Sequence, residues 1–249
     1  MPLLVFGMKF SSKILSLLSV VALSARAQEA GVPPKVFGGN AEATVLATSG
    51  NTSTQSYGLA SELAYKPSEW FHALKLNYVS TFQSSAKTAE SAAAELRSGR
   101  DLNERLDVYA AYGFSRNVFS GFSSRNTLEA GLGYKILPLP PHALRLETAL
   151  AFVDENLVPA GHNDFAAVKV GLLYRWTISE SADLSNDITS TFSLKSSADW
   201  RLVDQLAITA ALDNTFSVKS GVKVEHRNAP VVGRKATDTT TTVALVAKF

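Results

Sequence analysis

Apolar and polar residues alternate with a period of two along most of this chain. Between residues 70 and 82, for example, Leu74 and Leu76 share one parity, whereas Lys75 and Asn77 share the other. Successive side chains of a β-strand point to opposite faces, so the pattern predicts strands with one apolar and one polar face. The predicted strands cover residues 40–49, 55–65, 70–82, 88–98, 104–114, 128–136, 144–152, 168–176, 184–194, 202–212, 216–227 and 238–249.

The stretch 88–98 is rich in alanine and is compatible with a strand or a helix; it is counted here as a strand. The total is then even, and each strand reaches the length of about ten residues that a tilted strand needs to cross a bilayer. A soluble β-sandwich also alternates, so alternation alone does not decide between the two. The predicted fold class is all-β, a transmembrane up-and-down antiparallel β-barrel of about 12 strands.

Aromatic residues at the strand ends favour the membrane barrel. Trp70, Tyr134 and Trp176 all fall beside short connections on one side of the alternating topology, as in an interfacial aromatic girdle. The connections on that side are predicted at 66–69, 99–103, 137–142, 179–181 and 213–215, whereas the longest ones, 154–163 and 228–236, fall on the other side. Short periplasmic turns and longer external loops are expected of an outer-membrane barrel.

The first 27 residues have the layout of a secretory signal peptide. Lys9 and Lys13 precede an apolar stretch over 14–23, and Ala25-Arg26-Ala27 is a small-x-small cleavage site. The apolar stretch is too short for a spanning helix, which needs about twenty residues. The predicted organisation is a signal peptide over 1–27, cleaved after Ala27, a periplasmic tail over 28–39, and an outer-membrane barrel over 40–249.

Composition and charge exclude several other classes of protein. The chain has 249 residues, 46% of them hydrophobic and 18% charged, which argues against disorder, and it has no cysteine for disulfides or thiolate metal sites. Its net charge changes from +2 to −1 when the leader with Lys9, Lys13 and Arg26 is removed. No basic stripe is left, so we expect no nucleic-acid partner.

A barrel in a membrane must close on itself, because an open sheet edge leaves backbone groups unpaired in hydrocarbon. The first strand is therefore expected to pair with the last. The chain ends at Phe249 after apolar residues at alternating positions, which is typical of the C-terminal signal for insertion of outer-membrane barrels. The expected partners are outer-membrane lipid, lipopolysaccharide and the barrel-assembly machinery.

The polar parity places charges of both signs on the lumen face. The candidate lumen-lining residues are Lys75, Arg105, Asp107, Glu129, Arg145, Glu147, Lys169, Arg175, Asp183, Asp187, Lys219, Lys223 and Glu225. In one interpretation, five of them bridge adjacent strands and plug the interior: Glu129, Arg145, Glu147, Lys169 and Arg175. In the other, a water-filled gap remains and the charges select small solutes or ions. Twelve strands lie between filled and open barrels, and many small inward residues favour a narrow polar pore.

Several short motifs resemble those of a known family. They are Gly50-Asn51-Thr52, Phe119-Ser120-Gly121-Phe122 with Arg125, Gly131-Leu132-Gly133-Tyr134, and Lys235 and Asp238-Thr239 with the terminal Phe249. With these motifs, spread over most of the mature chain, the sequence resembles the YdiY-like family of salt-induced outer-membrane proteins, grouped as the domain of unknown function DUF481. The resemblance implies an outer-membrane barrel and an envelope or salt-stress response, and no mechanism. Asn117 departs from the acidic residue more frequent in that family.

Catalytic chemistry finds little support in the sequence. The four histidines are His72, His142, His162 and His226, and a nucleophilic triad needs a hydroxyl and an orienting group beside one of them. His72 and His142 lie by periplasmic turns and His162 in an external loop, which leaves His226 near the external rim, with Thr239 and Thr241 opposite. We therefore expect no enzyme, no cofactor and no metal site, although His162 with Asp164 could bind a cation weakly. A pore is the leading hypothesis, followed by a non-conducting structural or adhesive barrel and then a lipid hydrolase.

Overall fold

The described part of the chain forms one closed antiparallel β-sheet. The computed structural model describes residues 36–48, 54–159 and 161–249. Its twelve strands are β1 (Phe37–Thr48), β2 (Thr54–Tyr65), β3 (Trp70–Gln83), β4 (Ala86–Asp101), β5 (Leu106–Asn117), β6 (Phe122–Leu137), β7 (His142–Leu157), β8 (His162–Ser179), β9 (Ala182–Ser193), β10 (Trp200–Ala211), β11 (Phe216–Arg227) and β12 (Thr237–Lys248). Each strand pairs with its sequence neighbours, and β1 pairs with β12 to close the ring. The predicted twelve-stranded up-and-down barrel is confirmed.

The alanine-rich stretch 88–98 is a strand and lies within β4. β4 pairs with β3 from Ala86 to Arg100 and with β5 from Ala92 to Asp101, so its backbone groups are used on both sides. Alanine has little preference for a strand, and the ladder on both edges overrides that propensity. At the N-terminus, β1 begins at Phe37, so residues 37–39 belong to the barrel and not to a tail.

The two rims of the barrel differ in their connections. The terminal rim, where β1 begins and β12 ends, carries the five predicted short turns, at 66–69, 102–105, 138–141, 180–181 and 212–215. In the last of these turns, Asp213 accepts hydrogen bonds from the backbone N–H groups of Thr215 and Phe216 at 2.7 Å each. These two donors favour the charged carboxylate and hold the pKa of Asp213 below its usual range.

The opposite rim, called the loop rim, includes the β5–β6 turn (118–121) and the β11–β12 loop (228–236). The prediction of a long loop over residues 154–163 is wrong. β7 continues to Leu157 and β8 begins at His162, which leaves only four connecting residues. Asp154, Glu155 and Asn156 pair with β8 in regular register, so their polarity reflects their position in the barrel and not a loop.

The outer wall is apolar and exposed, as the alternation predicts. Leu59, Leu128 and Leu150 expose 56%, 61% and 68% of their surface although they lie in the middle of strands. Trp70 and Trp176 stand on the same face at the terminal rim, where a girdle is predicted. No helix among the described residues is long and apolar enough to cross a membrane.

The predicted signal peptide over 1–27, the first part of the predicted tail and the Gly50-Asn51-Thr52 motif lie outside the described residues.

Candidate functional site in the barrel lumen

The lumen face is identified by ion pairs that join strands which are not neighbours. Glu147 on β7 accepts hydrogen bonds from Arg97 on β4, at 3.0 Å from Nη1 and 2.7 Å from Nη2. Two strands separate β4 from β7 in the ring, so this contact is possible only across the interior. The inward parity of these strands is therefore the polar one, as the sequence predicts.

A bidentate ion pair lies on the lumen face near the terminal rim. Arg145 on β7 donates to both oxygens of Asp107 on β5, at 2.6 and 2.8 Å, and also to Glu147 at 2.7 Å. The Asp107 side chain is fully buried. Paired guanidinium and carboxylate groups of this geometry offset the cost of removing both charges from water.

Two glycines on β6 make room for this arrangement. A Cβ at Gly133 would stand 2.0 Å from Arg145 Nη2, and a Cβ at Gly131 would stand 2.9 Å from the Tyr109 ring. Tyr109 in turn lies under the Arg97 guanidinium, 3.6 Å from ring centroid to Cζ. The Gly131-Leu132-Gly133-Tyr134 motif thus has a packing role, since the missing side chains admit bulky inward neighbours.

One further pair extends the packed wall from β6 to β8. Lys169 Nζ donates to Glu129, whose side chain is only 9% exposed. The Asp107–Arg145 and Glu129–Lys169 pairs each skip one strand, and the Arg97–Glu147 pair skips two, which corrects the predicted bridging of adjacent strands. Together they fill this side of the interior, which we call the packed wall.

A second cluster, the mouth cluster, lies near the loop rim and centres on the fully buried Glu155 of β7. Its carboxylate accepts from three guanidinium groups at 2.8–2.9 Å: those of Arg125 on β6, Arg201 on β10 and Arg227 on β11. Asp199 supplies a second carboxylate, 3.1 Å from Arg201. The cluster connects β6 and β7 to β10 and β11 across the lumen, in front of β8 and β9.

The β5–β6 turn (118–121) contacts the β11–β12 loop (228–236) and the start of β12 across the loop rim, and we call this contact the mouth strap. The β5–β6 turn and the β11–β12 loop belong to hairpins on opposite sides of the ring, yet Ser120 Oγ donates to Asp238 Oδ2 at 2.8 Å. Arg234 Nη2 also donates to the Val118 carbonyl oxygen at 3.3 Å. Gly121 has a φ of +97°, a left-handed conformation that suits glycine and lets the turn bend toward the loop. The Phe119-Ser120-Gly121-Phe122 and Asp238-Thr239 motifs thus meet at the mouth.

The remaining lumen wall is open to water. Lys75 on β3 and Glu62 on β2 stand 3.8 Å apart, with side chains 51% and 47% exposed. Toward the loop rim the inward positions of β2 are small: Ala60, Gly58 and Ser56. At the terminal rim a pocket of about 370 Å³ is lined by Gly38, Gly39, Asn40, Glu62, Ala64, Lys248 and Phe249. We call this side, formed by β1 to β3, the open wall.

The other predicted lumen residues lie outside the packed wall and the mouth cluster, and most of them form more exposed ion pairs. Arg175 bridges to Asp187 on β9, with 2.9 Å between Nη2 and Oδ2, and is half exposed. Lys223 and Glu225 form an exposed pair at 3.0 Å on β11. Lys219 reaches Glu42 on β1 at 2.9 Å, and Asp183 is exposed at the start of β9. Arg105 was predicted to line the lumen, but it lies in the turn before β5 and is therefore a rim residue.

Sequence reasoning missed several members of the network. Glu155 falls in a predicted loop, and the other missed residues lie on β1, β2 and β4 or near the ends of β6, β10 and β11: Glu42, Glu62, Arg97, Arg125, Arg201 and Arg227. The period-two parity itself places Arg227 on the inward face of the predicted strand 216–227, and it reaches Arg201 and Arg125 when the strands 202–212 and 128–136 are extended by one and three residues.

The histidines form hydroxyl pairs on the outer wall. His72 Nδ1 lies 2.8 Å from Ser98 Oγ, His142 Nδ1 lies 2.8 Å from the Tyr174 hydroxyl, and His226 Nδ1 lies 2.8 Å from Thr237 Oγ1. Within the described residues, no carboxylate hydrogen-bonds any of these three rings. His162 lies 3.6 Å from Asp154 and 4.0 Å from Asp164, and no group of three or more metal-ligating side chains occurs in the described part.

The geometry defines a class: a closed antiparallel barrel with an apolar exterior and a charged interior, as in outer-membrane β-barrels. The chain also matches the family model described as "Protein of unknown function, DUF481" over residues 41–249, and it belongs to that family. It is similar to the uncharacterized protein YdiY of Escherichia coli (strain K12), with 23% identity over 212 residues, covering 85% of this chain and 82% of YdiY.

Solved structures share the fold at low sequence identity. A structure of the NanC porin superposes with a TM-score of 0.53 and 8% identity, covering 85% of this chain and 98% of that one. The translocator domain of the autotransporter NalP from Neisseria meningitidis gives a TM-score of 0.49 and 13% identity, covering 88% and 90% of the two chains. At these identities the likeness to NanC supports the barrel fold alone.

Proposed function

We propose that this protein is a narrow passage for small polar solutes or ions across the bacterial outer membrane. The observation that carries the proposal is the division of the lumen into two sides. Charged side chains of the packed wall and mouth cluster are at most 23% exposed, whereas Lys75 and Glu62 on the open wall are about half exposed. Exposed inward side chains need water beside them, so a hydrated path follows the open wall.

The passage is expected to be narrow and close to neutral. The packed wall and the mouth cluster fill one side of the lumen with paired charges of opposite sign. These pairs contribute little net electrostatic potential to the passage. Lys75 and Glu62 are the most exposed charged side chains on the open wall, where Glu42 is already paired with Lys219. Rings of charged side chains set selectivity in such pores, so this pair is the proposed selectivity element.

Planar-bilayer recordings of refolded protein test the passage. Lys75→Glu should raise the cation-to-anion permeability ratio, because it replaces the exposed positive charge of the path by a negative one. Lys195→Glu is the matched control, since Lys195 is 58% exposed in the connection after β9 and outside the lumen. Absence of current under all conditions overturns the proposal and favours a non-conducting structural or adhesive barrel, for which the mouth strap provides an external surface.

The location in the membrane is part of the same proposal. The terminal rim faces the periplasm, the apolar wall contacts lipid, and the loop rim meets lipopolysaccharide. Phe249 is the proposed insertion signal for the assembly machinery, and its removal should lower the yield of inserted barrel. A role in envelope or salt stress stays a prediction, as does cleavage after Ala27.

Hydrolysis of lipids ranks third. The three imidazole–hydroxyl pairs on the outer wall are more simply explained as satisfied polar groups at the membrane interfaces. A phospholipid deacylation that is lost in either Ser98→Ala or His226→Ala would contradict this.

A further inference from the structure

The seam that closes the barrel is incomplete. β1 pairs with β12 only from Asn40 to Ala43, opposite Lys248 to Leu245, with Gly39 and Phe249 adding a mutual pair of backbone hydrogen bonds. Every other junction in the described ring has ten or more register pairs. Beyond Ala43 and Leu245, both strands continue toward the loop rim without pairing with each other.

The two free edges are long. β1 continues from Thr44 to Thr48, held only by β2, and β12 extends back from Ala244 to Thr237, held only by β11. In hydrocarbon, unpaired backbone groups cost several kcal/mol each, so a persistent gap of this size needs polar partners.

The β12 edge has a composition that fits this need. Outward positions on the other strands are mostly apolar, but Thr239 and Thr241 on this edge are polar, and residues 237–241 are exposed on both faces. Hydroxyl groups thus line the edge from both sides. At the end of the gap nearest the last paired residues, the outward positions are apolar: Val45 and Val243 are 64% and 60% exposed.

Fixed contacts bound the gap at both ends. On the terminal side, Glu42 and Lys219 join β1 to β11 over the lumen face of β12 at 2.9 Å. At the loop rim, the mouth strap fastens the start of β12 through Asp238 to Ser120. The gap therefore opens sideways from the open wall of the lumen, beside a mouth that the strap and the mouth cluster obstruct.

From this geometry we infer that the β1–β12 gap is a lateral opening between the lumen and the outer leaflet, and that it admits amphiphiles with a single acyl chain. The polar head would bind the threonine-lined edge and the hydrated open wall, while the chain stays against Val45 and Val243 in the hydrocarbon. The inference deepens the proposed function, because it rests on the same hydrated passage and names its lateral ligand class.

A reversible lock tests the opening. The protein has no cysteine, so Val45→Cys with Val243→Cys forms a disulfide only when the two edges come together. The matched control is Ala43→Cys with Leu245→Cys, two residues away on each strand and on the same face, where the strands are already in register. After oxidation, Asn77→Cys on the exposed open wall receives a fluorophore, and the barrel is placed in nanodiscs.

The probe is lysophosphatidylcholine with a nitroxide on its headgroup, which quenches the fluorophore if it enters the lumen. Quenching is expected in the control and is expected to be lost in the locked barrel, then to return after dithiothreitol treatment of the fluorophore-labelled sample. Equal quenching in locked and control barrels overturns the inference, and so does absence of quenching in both. Glucose flux in liposomes is measured in parallel, so that loss of the passage itself is seen separately.

Discussion

Arg145 and Asp107 form a two-bond ion pair in space that Gly133 leaves empty. The guanidinium lies 2.6 and 2.8 Å from the two carboxylate oxygens, and a methyl group at residue 133 would overlap it. A glycine on one strand thus decides whether a charge pair on its two neighbours can form. The lack of a side chain at Gly133 is therefore what makes room for the Arg145–Asp107 pair.

Gly133→Ala should therefore be strongly destabilising for a change of one methyl group. Displacing Arg145 leaves Asp107 buried without its partner, which costs about 3 kcal/mol or more. The measurement is the free energy of unfolding in urea from lipid vesicles. Gly113→Ala on β5 is the control, because its Cβ would meet only the Ala94 carbonyl oxygen at 4.0 Å. Equal stability of the two variants would show that the pair does not need this space.

Glu155→Gln tests the mouth cluster. The neutral amide keeps the shape of the side chain but leaves three guanidinium groups around it without their shared anion, at an expected cost of about 3 kcal/mol or more. Hydrogen exchange should locate the loss at the loop-rim ends of β6, β7, β10 and β11. Glu225→Gln is the control; it removes a half-exposed pair with Lys223 and should cost less than about 1 kcal/mol. Uniform exchange across the barrel in Glu155→Gln would contradict a local role.

The sequence predicts the strands well because parity is local information. A residue such as Leu150 shows its face through its neighbours two positions away, and closure follows from the lack of water in a membrane. The partners across the lumen depend on the stagger of twelve strands, which no short window contains. Glu155 shows the limit: Asp-Glu-Asn before Val-Pro resembles a loop, and only the register with β8 shows that it is buried.

Leu150→Arg tests which face meets lipid. Leu150 is 68% exposed in the middle of β7, and an arginine at the centre of a lipid-facing wall costs about 2–4 kcal/mol. Leu139→Arg is the control, since Leu139 is 72% exposed but lies in the β6–β7 turn at the terminal rim. Folding yield into vesicles and unfolding free energy should fall for Leu150→Arg only. A similar small effect for both would mean that the outer wall is in water.

Ser120→Ala tests whether the mouth strap limits the passage. Its hydroxyl donates to Asp238 across the rim, and removing one such bond shifts the strap by about 1 kcal/mol, or about fivefold in population. Single-channel recordings should then show a larger open probability or conductance, with selectivity unchanged because Lys75 and Glu62 lie elsewhere. Ser123→Ala is the control; its hydroxyl donates to the Asn156 carbonyl oxygen within one hairpin and bridges nothing across the mouth. If both variants conduct like the wild type, the strap is a structural contact and the constriction lies at the mouth cluster below it.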